Sequence, residues 1–217
     1  MAKKKIRVWS EAELIDAFTL TKLLPHQHHL LNDWLAVPSL ALSPFEQTVF
    51  NQILRRAELN IGSWNEEDLK MNFIAFVLDL AQLTSNDKFR TYFEKTVEAT
   101  VEGHYLKIKS DFMVAKGILD LVKTPYFHFQ EYKQEKDPYG DPLAQLLEAF
   151  LVAQENNKNG NPLYGCFVRG RIWHFVTMEA KTYCVSKAYD CTEEPQLLAI
   201  IAILRRFREI LETRLLD

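Results

Sequence analysis

The succession of residue periodicities along the chain predicts an α+β (mixed α/β) fold: a central sheet of about five or six strands flanked by helices, with a helical N-terminal extension. Three observations carry this. Apolar residues recur at helical spacing through most of the first 83 residues. The period then changes, with β-branched and aromatic residues in partial alternation between residues 93 and 133. A helix, a three-stranded meander and a long amphipathic helix complete the chain.

Each element has a local reason. Ser10 and Glu13 form a capping-box pattern ahead of Leu14, Ile15 and Phe18, which share one helical face. After Pro25, the segment HQHHLLNDWLA presents Leu30, Leu31, Trp34 and Leu35. Ser43, Pro44 and Glu46 give a second start signal, and the helix behind them is expected to bury Phe45, Val49, Ile53 and Leu54. A fourth helix over 66–83 carries Leu69, Phe73, Phe76, Val77 and Leu80. Three strands are expected between 93 and 133, with Gly103 and Gly117 near turns. Asp141 and Pro142 open a helix whose stripe is Leu143, Leu146, Leu147, Phe150 and Leu151, and Gly160 and Pro162 close it. The meander turns near Arg169-Gly170 and Glu179-Ala180-Lys181. The division expected is a helical extension over 1–62 and a catalytic-type domain over 63–217.

Composition narrows the function classes. The chain has 217 residues, 47% of them hydrophobic and 25% charged, with only 7 Gly and 8 Pro, which excludes a collagenous or disordered chain. No apolar run approaches the roughly 20 residues that span a bilayer, and the basic start MAKKKIRVW lacks the apolar stretch of a secretory signal. Three cysteines (Cys166, Cys184, Cys191), without a CxxC, argue against a disulfide framework or a zinc cage and for a reducing, cytoplasmic setting. A net charge of −3 lowers the expectation of nucleic-acid binding through charge alone. Phosphate loops, GxSxG, HExxH and dinucleotide fingerprints are missing from the sequence.

One constellation points to chemistry. Asp111 lies in the strand LKIKSDFMVAKG, and twenty residues on the strand YFHFQEYK carries Glu131 and Lys133. Alternation puts Glu131 and Lys133 on one face with Tyr132 pointing the other way. If the strands are neighbours, Asp111 lies beside Glu131, and the two carboxylates with the Tyr132 backbone carbonyl make an all-oxygen site of the kind Mg²⁺ prefers. Such a site generates a nucleophile from water for attack on a phosphodiester. Lys133 would hold or help deprotonate that water and offset charge on the phosphate.

With its element order, this pattern resembles the PD-(D/E)xK nuclease superfamily, the restriction-endonuclease-like fold, over roughly residues 63–190. The resemblance maps onto the helix at 66–83, Asp111, Glu131-Tyr132-Lys133, the helix at 142–156 and the strand starting near Tyr164. It implies a Mg²⁺-dependent endonuclease acting on DNA, with Mn²⁺ able to substitute. It also implies supporting roles for Glu66, as a further metal neighbour, and for Gln145. Ser110 stands where the family often has Pro, and GILDLVKTP reads as a long insert between the two key strands. Cutting both strands of a duplex would need two sites, so a homodimer through the C-terminal helix is an expectation.

Blander readings stand beside these. Asp111 alone reads as a solvated strand carboxylate, and Glu131 with Lys133 as a surface ion pair. Ser63-Trp64-Asn65-Glu66 also reads as a capping box, with Glu67 the site residue if the helix starts one position later. His26, His28 and His29 lack the i, i+4 spacing of a helical metal pair and are expected on a solvated face. Lys3, Lys4, Lys5 and Arg7 read as a frayed terminus, and Arg205, Arg206 and Arg208 as the polar face of the last helix. The alternative function is a nuclease-fold protein with little or no turnover, acting as a binding or regulatory module for nucleic acid or protein. A third possibility is an unrelated α+β scaffold in which the pattern is accidental.

Overall fold

Helices cover both faces of one mixed sheet in the computed structural model, which describes residues 8–136 and 141–216. The elements in chain order are α1 (Glu11–Phe18), β1 (Thr21–Leu23), α2 (His29–Leu35), α3 (Pro44–Asn60), α4 (Glu66–Leu69), a π-helical turn (Lys70–Ile74) and α5 (Ala75–Leu80). There follow β2 (Arg90–Val101), β3 (His104–Ile118), β4 (Leu121–Lys133), α6 (Pro142–Asn157), β5 (Leu163–Arg169), β6 (Ile172–Glu179), β7 (Thr182–Val185), β8 (Tyr189–Asp190) and α7 (Glu194–Ile210). The fold is α+β. The sheet has eight strands rather than five or six, in the order β1-β7-β6-β5-β4-β3-β2, with β8 on β6. The two extra pieces are short segments, Thr21–Leu23 and Tyr189–Asp190, too brief to show a period of their own.

Chain connectivity sets the strand directions. β2, β3 and β4 form an antiparallel meander, α6 carries the chain over to β5 parallel to β4, and β5, β6 and β7 form a second meander. β5 lies close to both β4 and α6 because of Gly165. A Cβ there would stand 2.6 Å from the Phe129 carbonyl oxygen and 2.8 Å from Phe150 Cζ.

Alternation along the strands feeds two cores. On one face Phe112, Tyr132, Cys166 and Phe175 pack with α2, α3, α5 and α7; on the other, Met113, Phe129, Leu163 and Val176 pack with α1 and α6. The N-terminal helices contribute directly. Trp34 of α2 is fully buried among Tyr164, Phe175 and Phe207, and its indole N–H donates to the Ile203 carbonyl at 2.8 Å. β1 pairs with β7, so residues of this segment lie in the sheet itself.

Several expectations change. Phe45 is 75% exposed; of the other residues expected inside, Ile53 is buried and Val49 and Leu54 are half-buried, with Phe50 and Ala57 buried beside them, because the helix turns its stripe toward α5. His28 is buried rather than solvated: it caps α2, its Nδ1 accepting from the Leu31 N–H, while His26 and His29 stay exposed. The segment GILDLVKTP is no insert. β3 and β4 run on through it and reverse at Leu119-Asp120, so it is the end of a long hairpin. The apolar face of α7 is buried inside the molecule, which removes the basis for a dimer through that surface. Arg205 binds Glu46 and the Leu80 carbonyl, Arg206 binds Glu209, and Arg208 binds Glu212. Lys3, Lys4, Lys5 and Arg7 lie outside the described residues. Among the described residues no helix is long and apolar enough to cross a membrane. Cys166, Cys184 and Cys191 are all buried free thiols.

Candidate active site

The site forms where β3 and β4 part. Their ladder ends at the pair Phe112–Gln130, and the next residues along are Asp111 and Glu131. β4 continues past this point beside β5 as far as Lys133–Arg169. With no β3 backbone left to pair it, the Tyr132 N–H donates to the Asp111 carboxylate, at 2.7 Å to Oδ2. A side chain thus replaces a ladder bond, and it fixes Asp111 beside Glu131. In a strand the N–H and C=O of one residue point to the same edge, so the Tyr132 carbonyl also faces this gap.

A second irregularity faces Asp111 from the other side. β2 pairs with β3 through Phe93–Phe112 and Lys95–Ser110, which leaves Glu94 opposite Asp111. Glu94 has a left-handed backbone, with φ of 56°, a conformation that costs a non-glycine residue about 1–2 kcal/mol. Glu94, Asp111 and Glu131 therefore stand abreast on three adjacent strands.

Across their top runs the helix that begins at Glu66. Asn65 caps it by accepting from the Asp68 N–H at 2.9 Å, and the Asp68 side chain closes the box. The start signal is Asn65/Asp68 rather than Ser63/Glu66, so the Glu66 side chain is released from capping. It accepts from Lys70 Nζ at 2.9 Å through Oε1, and Lys133 Nζ lies 3.5 Å from its Oε2. Glu67 is largely exposed, 3.6 Å from the same Lys70 nitrogen.

Lys70 is the centre of the cluster. Its ammonium donates to Glu94 Oε1 at 2.6 Å, Glu66 Oε1 at 2.9 Å and Asp111 Oδ1 at 2.9 Å, with 8% of its side chain exposed. Neither Lys70 nor Glu94 is among the residues the sequence pattern singles out. For Lys70 a signal existed: it follows Glu66 by four positions, on the same helical face. For Glu94 none did, since the irregularity that turns it toward Asp111 leaves no mark in FEKTVEATV.

Burial and charge pull against each other here. Burial drives the Glu131 carboxyl well above the usual carboxylate range, and the Asp111 carboxylate adds to the rise. Asp111 is raised as well, burial outweighing the bonds from Lys70 and the Tyr132 N–H. Burial works to lower Lys70, but its bonds to Asp111, Glu94 and Glu66 prevail and hold it above the ordinary lysine value. Burial works to raise Glu94, yet the bonds from Lys109 and Lys70 bring it down to about 2. Glu131 is 1% exposed, and its Oε1 has no hydrogen-bond partner. The open side of the site lies at Glu66 and Glu94, whose side chains are 35% and 39% exposed.

The opposite face of β4 is locked. The Tyr132 hydroxyl donates to Gln130 Oε1 at 2.5 Å, and Gln130 Nε2 donates to His128 Nε2 at 2.9 Å. Burial pushes His128 down to about 3, so its ring stays neutral at ordinary pH. This fully buried row holds the strand that aims Glu131 and Lys133.

Of the residues singled out in the sequence, Glu66, Asp111, Glu131 and Lys133 come together. Gln145 does not join them through a bond. It sits in the first turn of α6, with its Oε1 buried and without a partner. Among the described residues, no group of three or more His, Cys, Asp or Glu side chains is spaced to close on a metal ion as it stands. The three carboxylates that come nearest to it close on the Lys70 ammonium. The donor chemistry nevertheless suits a hard cation: two buried carboxylates side by side, one with an unpartnered oxygen, and a backbone carbonyl facing the same gap.

No family model matches the chain, and no curated protein matches it. Among solved structures, one described as the cryo-EM structure of a DrdV–DNA complex is similar over 73% of this chain, with 16% identity and a TM-score of 0.40; the chain spans 14% of that protein's length.

Proposed function

We propose that the chain is a metal-dependent nuclease that hydrolyses DNA phosphodiester bonds. The observation that carries this reading is the meeting of Asp111, Glu131 and Lys133 with Glu66 at the point where β3 and β4 separate. The choice of DNA follows from the resemblance to PD-(D/E)xK nucleases. Asp111, Glu131 and the Tyr132 carbonyl would hold Mg²⁺ or Mn²⁺, with Glu66 beside them. When bound, the cation would acidify water and neutralise charge on the phosphate.

The chain's own residues supply the rest. Lys133, with 14% of its side chain exposed and 3.5 Å from Glu66, is held at the rim. There its ammonium would donate a hydrogen bond to the attacking water and orient it, and its charge would offset that gathering on the phosphoryl oxygens. As the water oxygen bonds to phosphorus it gives up a proton to solvent, and the bond from phosphorus to the leaving oxygen breaks, that oxygen taking a proton from solvent. The exposed edges of Glu66 and Glu94 give a phosphate its approach.

A second reading, a nuclease-fold binding or regulatory module with little turnover, is favoured by one observation: Lys70 already neutralises the carboxylates. One assay separates the two. Purified protein is incubated with plasmid and single-stranded DNA in Mg²⁺ or Mn²⁺, beside Asp111→Asn and Lys133→Ala. Cutting by the wild type and by neither variant supports the nuclease. Metal binding without cutting supports the module, and a folded protein that binds neither cation, whether Lys70 is present or replaced by Met, overturns the metal site.

A further inference from the structure

We propose that Lys70 is a resident cation of this site: its ammonium holds the place of a divalent ion, and binding of that ion moves Lys70 off Asp111 and leaves it on Glu94. The inference rests on the metal reading above and concerns how the site is kept ready.

The ammonium has three N–H donors, and three short contacts use all of them, to Glu66, Glu94 and Asp111. A buried group of carboxylates needs positive charge close by to remain folded as anions. Lys70 provides it from within, but incompletely. No donor is left for Glu131, whose nearly inaccessible Oε1 goes without a partner. A doubly charged ion between Asp111 and Glu131 serves both carboxylates, which a single ammonium with its donors filled does not.

The surroundings give Lys70 somewhere to remain. Glu94 is its shortest contact and is anchored independently by Lys109 on the open side. Its left-handed backbone turns it toward the cluster instead of along the strand. Lys70 also opens the π-helical turn Lys70–Ile74, an irregularity that appears mostly as single-turn bulges and is frequent at functional sites. The apparent affinity for a divalent ion is then reduced by the fraction of molecules in which Lys70 occupies Asp111.

The test measures Mn²⁺ binding by isothermal titration calorimetry on the full chain, comparing the wild type with Lys70→Met, Lys70→Gln and Lys70→Arg. The two neutral variants are expected to bind Mn²⁺ about tenfold tighter or more, while Lys70→Arg gains nothing. Without metal the neutral variants should melt below the wild type, and Mn²⁺ should restore them. Tighter binding by the variants beside an undetectable wild type supports the proposal in its strongest form. Equal or weaker binding in both neutral variants overturns the displacement and leaves the metal reading standing. Absence of binding in the wild type and in every variant overturns both. Neutral variants that fail to fold even in millimolar Mn²⁺ also overturn it, since the ion then does not replace the ammonium.

Discussion

Glu94 and Asp111 face each other across adjacent strands and grip one ammonium, that of Lys70, at 2.6 and 2.9 Å. On the far side of Asp111 stands Glu131, buried and incompletely bonded. The site is therefore a row of acids in which charge is compensated at one end and left uncompensated at the other. That asymmetry makes Glu131 the most sensitive position.

Glu131→Gln should stabilise the metal-free protein at pH 8. A carboxyl raised in the folded state keeps its proton longer there than in the unfolded chain, so stability falls as pH climbs from the ordinary carboxylate range toward the raised value. The amide lacks this loss. The gap in melting temperature between variant and wild type should be positive at pH 8 and vanish near pH 4, and a variant less stable at pH 8 would count against a buried, charge-strained Glu131.

Glu148, which makes no bond to the cluster, gives a second pH dependence. It lies on α6, accepts from the Lys107 N–H at 3.3 Å, and burial raises its carboxyl to about 7. The sign is the same: the stability it contributes is present at acid pH and lost as pH rises through 7. By the rule of about 1.4 kcal/mol for each pKa unit, the loss by pH 8 is at most about 3.5 kcal/mol. Urea titrations from pH 5 to 8 should show a falling stability in the wild type and a flatter profile in Glu148→Gln.

Gly165→Ala should destabilise the protein by about 1–3 kcal/mol. The added methyl would stand 2.6 Å from the Phe129 carbonyl and must push β5 away from β4. Because β4 carries Glu131 and Lys133, the same substitution should weaken Mn²⁺ binding. Chemical denaturation and calorimetry check the two effects separately.

Trp34→Ala should cost about 3–5 kcal/mol, the range for emptying a large aromatic site. The indole fills the core between α7 and the sheet and donates to Ile203. Removal of residues 1–62 strips that contact together with β1, and the remainder should aggregate or lose its near-ultraviolet circular dichroism. A soluble, cooperatively melting fragment would show that these helices are dispensable.

Asp111→Asn and Lys133→Ala should each reduce DNA cleavage by about a hundredfold or more, but through different steps. The first should weaken Mn²⁺ binding, and the second should leave it close to that of the wild type. Calorimetry beside a cleavage time course distinguishes them.

Local rules in the sequence determined the elements that depend on near neighbours. The capping boxes at Ser10 and Ser43, Asp141-Pro142 at the start of α6 and the period change before β2 all follow from residues within a turn or two of each other. Period-2 alternation likewise determined that Glu131 and Lys133 share a face. Only the tertiary structure decided what meets them. Asp111 reaches Glu131 because a ladder stops at Phe112–Gln130, Glu94 arrives through a left-handed residue in β2, and Lys70 comes down from a helix on another layer. Those meetings are set by where strands part and how layers stack, over sequence separations that reach 41 residues and that no local period encodes.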